Sequence, residues 1–171
     1  VLGGIKPAPP LPPGDSYVPD IFDRRAHLPP GAVRVVSGHP SLVDGEWRLY
    51  AFRDSASHTC LQFAEQSAAT GGAGTTCEQK PPLARAGDFS ADGRFLFGLA
   101  GTNVTIVRVE HQDGAVEQFA TVSAPTYSVL FWAGEITPAP ITRVAALDAN
   151  GRVVAETTDN ADLNYKPPSG P

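Results

Sequence analysis

A chain of 171 residues with 42% hydrophobic and 18% charged side chains can bury one domain-sized core with no metal to hold it together. Its 13 basic and 18 acidic residues leave a net charge of −5 with no cationic run, which argues against a nucleic-acid footprint. The longest unbroken apolar run, residues 129–133 (VLFWA), is far short of the roughly 20 residues a membrane-spanning helix needs, and 17 Gly with 17 Pro indicate many turns.

The sequence contains no Met, even at position 1, so the chain is expected to start downstream of a removed signal peptide, a membrane segment or a cloning boundary. Residues 1–30 read as a proline-rich stalk. Six prolines between Pro7 and Pro19 hold the backbone near polyproline II and withdraw hydrogen-bond donors. Within the stalk, residues 20–27 (DIFDRRAH) have the makings of a short helix, with Asp20 as N-cap and Pro29-Pro30 as the stop. Residues 31–158 read as the folded domain, and 159–171, polar and ending in prolines, as a flexible tail.

A short strand is predicted over 32–36, followed by a longer one over 46–53 (EWRLYAFR). In the longer strand Trp47, Leu49 and Ala51 share one face, and Arg48, Tyr50 and Phe52 the other. Bulk on both sides marks a central strand covered on both faces, or one with an aromatic outer face, with 59–65 (TCLQFAE) as its hairpin partner. The small, polar stretch 66–76 reads as a mobile loop pinned by Cys77. Strands follow over 94–99, 103–111, 115–122 and 127–132. In 103–111 (NVTIVRVEH) the apolar phase slips at Ile106-Val107, as a β-bulge or burial on both faces would make it. The hairpin 141–157 (ITRVAALDANGRVVAET) is the clearest local signal, its Asn150-Gly151 suited to the positive φ values of a type I′ turn. Asp-Gly or Asn-Gly thus stands before a β-type run at 44, 92, 113 and 150. The pattern predicts an all-β protein, an immunoglobulin-like or transthyretin-like β-sandwich of about seven to nine mostly antiparallel strands.

Chemistry-bearing residues are sparse. Cys60 and Cys77 are too far apart for a CxxC motif and lack a second pair for zinc. In an exported protein they form a disulfide, worth roughly 3 kcal/mol on the chain-entropy model. His58 stands two residues from Cys60, but a disulfide is the better reading than a catalytic thiol. The four histidines are scattered, and His111, beside the Asp113-Gly114 turn, reads as solvated. Asp159 and Asp162, with Asn160 and Asn164, offer calcium-type oxygens without the EF-hand order, and no cofactor is expected. Glu46, Glu65, Glu110 and Glu117 sit on predicted strands, yet any sandwich has such carboxylates. Trp47, Tyr50, Tyr127 and Trp132 are candidate ligand-binding aromatics, with the two Trp more simply read as core anchors.

Four stretches carry a family likeness: LVDGEWRLYAFRD, the CLQF strand with a second Cys downstream, FLFGLAGTNVTIVRVEHQDG and ITRVAALDANGRVV. Together, over 42–154, they resemble extracytoplasmic β-sandwich domains of membrane-anchored or secreted proteins of GC-rich Gram-positive bacteria. The bias of ten Arg to three Lys fits such a genome. The resemblance implies an extracytoplasmic, non-catalytic domain that binds or senses a protein or cell-envelope partner, and no catalytic residue carries over from it. A secreted enzyme acting on polysaccharide or cell wall, and a purely structural spacer, are the alternatives.

Overall fold

Strands with apolar side chains on both faces need a covering layer on each side, and the chain supplies both. The computed structural model describes residues 5–6, 27–39, 45–67, 71–78, 85–90 and 93–158. These form β1 (Ile5–Lys6), β2 (Val33–Gly38), β3 (Gly45–Arg53), β4 (Thr59–Ser67), β5 (Gly71–Glu78), β6 (Arg85–Ser90) and β7 (Gly93–Ala100). They continue with β8 (Ile106–His111), β9 (Val116–Ala120), β10 (Val122–Ser123), β11 (Leu130–Ile136), β12 (Ile141–Leu147) and β13 (Val153–Thr157), and no helix occurs among the described residues. Three sheets result, ordered β2-β3-β4-β5, β10-β11-β7-β6 and β1-β9-β8-β12-β13, antiparallel except where β1 joins β9.

The β10-β11-β7-β6 sheet is the middle layer. Along β7, Phe95, Phe97 and Leu99 join Trp47, Leu49, Leu61 and Phe63 in one core, while Leu96 and Ala100 join Val107, Val109, Phe119 and Val144 in another. Strand β11 divides in the same way, Phe131 to the first core and Trp132 and Ile136 to the second. The period-two alternation therefore feeds two interiors from one sheet. At Gly134 on β11 the Phe119 ring lies so close that a Cβ would fall 2.1 Å from its Cε1, so the second core is closed by a missing side chain.

The all-β sandwich expected from the sequence is what the chain forms. The thirteen strands among the described residues, against the seven to nine expected, follow from the third layer and from strands in segments of weak pattern. The stretch 66–76, read as a loop, lies largely in β5, a Gly-rich strand in register with β4 from Gly71 to Glu78. The phase slip in 103–111 is not a bulge. Strand β8 starts at Ile106 and alternates cleanly, whereas Val104 is buried from a turn in which its N–H donates to the Gly101 carbonyl at 3.0 Å. The strand expected over 127–132 starts at Leu130, because Tyr127 still belongs to a turn. The helix expected over 20–27 lies outside the described residues, save for a turn at His27. Within the expected stalk, Ile5 and Lys6 pair with Gln118 and Phe119.

Three hairpins share one turn. Backbone N–H groups of Asp54, His111 and Asp148 donate to the carbonyls four residues on, His58, Ala115 and Arg152, at 3.2, 2.9 and 2.9 Å. In each, the residue before the closing position returns an N–H to the first carbonyl and has a left-handed backbone: Ser57 (φ 64), Gly114 (φ 84) and Gly151 (φ 74). This is a three-residue loop, a type I turn followed by one left-handed residue. It replaces the type I′ turn expected at Asn150-Gly151, since Asn150 is not among the residues of positive φ. Asp148 makes the difference: its Oδ1 accepts the N–H groups of Asn150 (2.9 Å) and Arg152 (3.0 Å) and holds the type I arrangement.

Candidate functional site

Of the four candidate aromatics, three are interior. Trp132 and Tyr50 are fully buried, and Trp47, 6% exposed, stacks on Phe63 at 5.8 Å and tilts against Phe95 at 5.7 Å. Trp132 packs on Phe119 at 5.9 Å with its indole N–H unpartnered. The two Trp anchor the cores between layers, as the simpler reading of the sequence has it, while Tyr50 packs with Ala64 and Leu28 in a separate small cluster. None of the three presents a ring to a ligand, which corrects their candidacy as a binding platform. Tyr127 differs: it is partly exposed and leans edge-on against Phe131 at 5.3 Å.

Around Tyr127 one end of the sandwich is assembled from two turns. Ala124–Tyr127 closes by a Tyr127 N–H to Ala124 carbonyl bond of 3.3 Å. Pro125 takes the second turn position, and Thr126 stands at φ 69, where a type II turn favours Gly. The second is the β3–β4 turn, with Ser57 at φ 64. Arg53, exposed at the end of β3, joins them. Its Nη1 donates to the Ser57 carbonyl and its Nη2 to the Thr126 carbonyl, both at 3.2 Å, and its guanidinium lies 5.1 Å from the Tyr127 ring centroid. Burial raises the Tyr127 phenol above its ordinary range, with the Arg53 charge partly opposing.

Asp54 fixes the β3–β4 turn from within. Oδ1 accepts the N–H groups of His58 (2.8 Å) and Ala56 (2.9 Å), and Oδ2 meets His58 Nδ1 at 2.9 Å. The His58 backbone N–H is the main reason the Asp54 carboxyl lies below its ordinary range. Next to this turn the expected Cys60–Cys77 disulfide is present, joining directly opposed residues of β4 and β5 with Cα atoms 4.0 Å apart. Asp54, Cys60 and Cys77 bring ligand-type atoms within 4.8 Å of one another, but both sulfurs are spent in the disulfide and offer no thiolate. The calcium candidates Asp159 and Asp162 lie outside the described residues.

His111, read from the sequence as solvated, is buried. Its Nδ1 meets the Ala139 carbonyl at 3.0 Å and its Nε2 meets Glu117 Oε2 at 3.2 Å. Glu117 also accepts the Thr137 backbone N–H (3.2 Å to Oε2) and hydroxyl (3.2 Å to Oε1). The carboxylate, not the imidazole, is the bridge between hydroxyl and ring, so the order is not that of a nucleophile–base–carboxylate relay. The cluster ties the loop before β12 to the β8–β9 hairpin. No composition or spacing cue marks it, because Glu117, Thr137 and Ala139 meet His111 only through the fold.

The other carboxylates do not converge. Glu46 is held by Arg48 at 2.7 Å, Glu110 by Arg108 (2.9 Å) and Arg143 (3.1 Å), and Glu65 is buried in the sheet on the opposite side of the middle layer. Val153 and Val154 are exposed on β13, the outer strand of its sheet. That edge is short, interrupted by a register shift at Ala146/Leu147, and carries Glu156, bound by Arg143 Nε at 2.8 Å; all three features blunt edge pairing. No helix among the described residues is long and apolar enough to cross a membrane. No protein-family model matches the chain, and neither a curated protein nor a solved structure matches it.

Proposed function

We propose that this chain is a non-catalytic extracytoplasmic domain that binds a protein or cell-envelope partner through the end built on Arg53 and Tyr127. The observation that carries the reading is Tyr127, an aromatic ring left partly exposed beneath a guanidinium, between two turns whose left-handed residues the same Arg53 holds. Tyr and Arg dominate binding energy at protein surfaces, and loops fixed before contact lose little entropy on binding. Backbone strain at non-glycine residues also concentrates where surfaces do work. The Cys60–Cys77 disulfide supports an oxidising compartment. The enzyme alternative gains nothing from His111–Glu117, which is enclosed and holds loops together.

The test compares wild-type protein with Tyr127→Ser and Arg53→Ala for retention on purified cell-envelope fractions and secreted protein, with thermal melting to confirm that each variant is folded. Retention of wild type and loss by both variants supports the reading. Equal retention of all three moves the binding surface elsewhere, and no retention of any favours a structural spacer.

A further inference from the structure

Strand β5 is the outer strand of its sheet and reads GGAGTTCE, three of its eight residues being Gly and none a large apolar side chain. Glycines cost more order than other residues and bury nothing, so the ladder to β4 is poorly supported. Strand β4 is different: Leu61 and Phe63 fix it in the core. Besides its backbone bonds, β5 is tied to β4 by the disulfide, and that bond is asymmetrically placed. Cys60 is 0% exposed, whereas Cys77 is exposed.

We propose that Cys77 is a thiol–disulfide exchange site, and that its reduction by a dithiol releases β5 from β4 while the three-layer sandwich stays folded. An incoming thiolate reaches the sulfur of Cys77, not that of Cys60. A bond forms between the dithiol and Cys77 Sγ, the Cys60–Cys77 bond breaks, and Cys60 leaves with the electron pair and takes a proton. The second thiol of the dithiol then displaces Cys77, closing a cyclic disulfide. The protein gains two electrons and two protons, and the dithiol loses the same. The site tolerates the reduced form of Cys60. Its sulfur lies 3.9 Å from the His58 carbonyl in a fully buried position, where a free cysteine packs as a small apolar group. Release leaves β4 as the open edge of the sheet.

Hydrogen exchange read by mass spectrometry tests this on the folded protein, before and after dithiothreitol, with alkylation counting the thiols formed. Two thiols and exchange faster by on the order of tenfold or more at 71–78, with β7, β8, β11 and β12 still protected, support the proposal. The paired variant Cys60→Val, Cys77→Ser, which refills the buried position, reproduces that pattern without dithiol. Loss of protection throughout the domain overturns it, because the disulfide is then a staple for the whole fold. Unchanged protection at 71–78, or no thiols after dithiothreitol, overturns it as well.

Discussion

Arg53 donates to the carbonyl of Ser57 at 3.2 Å, and Ser57 occupies, at φ 64, the hairpin position that Gly114 and Gly151 fill in the other two turns of the same design. A left-handed backbone costs an L-residue about 1 kcal/mol or more. Ser57→Gly is therefore expected to stabilise the domain by about 1 kcal/mol, a rise of roughly 2–4 °C in melting temperature. Arg53→Ala is expected to destabilise by about 1 kcal/mol, and by less in a Ser57→Gly background, since the clamp then holds a turn that no longer strains. Denaturant unfolding of the four proteins measures the coupling. A Ser57→Gly protein no more stable than wild type removes the strain from the account.

The glycines in the equivalent position have the converse dependence. Nothing stands within 4 Å of a Cβ built on Gly114 or Gly151, so the cost of Ala there is conformational alone. Gly114→Ala and Gly151→Ala are each expected to lose about 1–2 kcal/mol by urea unfolding, with the fold retained. A loss much smaller than that at both sites would show that the turns relax to another type.

The same three turns show how far the sequence carries. Two announce themselves through Asp113-Gly114 and Asn150-Gly151, because Gly is the residue that tolerates positive φ. The third has Ser57 there and is silent, its conformation maintained by Asp54 within the turn and Arg53 beside it. Strands such as β3 and β12 are legible as β-type apolar runs beside turn residues. The existence of a third layer is not, since a strand feeding two cores looks like any apolar run until its neighbours are known. Strand β5 is illegible for the opposite reason: three Gly give no pattern, and register with β4 makes the strand. In the candidate site, Tyr127 was visible as an aromatic, but its partner Arg53 lies 74 positions earlier, and no local signal joins the two.

Gly134 tests the closure of the second core. A Cβ there meets Phe119 Cε1 at 2.1 Å and Cδ1 at 2.4 Å, too close for a ring fixed between β9 and Trp132 to yield cheaply. Gly134→Ala is expected to cost about 1–3 kcal/mol, the usual penalty of overpacking. Phe119→Leu in the same chain is expected to recover part of that loss while being destabilising alone. Chemical denaturation of the two single variants and the double variant decides; additive losses would mean that the ring and the glycine do not share one space.

Glu65 makes stability fall as pH rises above the ordinary glutamate range. It is 5% exposed, it faces the core opposite Trp47, its Oε1 has no hydrogen-bond partner, and burial holds its carboxyl above the ordinary glutamate range. The folded protein therefore keeps this proton to higher pH than the unfolded chain does. Its contribution is fully present below the unfolded value and is lost as pH rises through the raised folded one. Asp54 and Asp148 have the opposite sign. Backbone N–H groups of His58 and Arg152 hold them below the ordinary aspartate range, so their contribution is present at neutral pH and lost in acid. Glu65→Gln keeps the shape and removes the charge. Its unfolding free energy, followed against pH beside wild type, is expected to match wild type in acid and exceed it at neutral to alkaline pH. Asp54→Asn and Asp148→Asn are expected to flatten the acid limb and leave the alkaline one unchanged. A Glu65→Gln curve parallel to wild type at every pH would mean that the carboxylate finds water or a cation as it ionises.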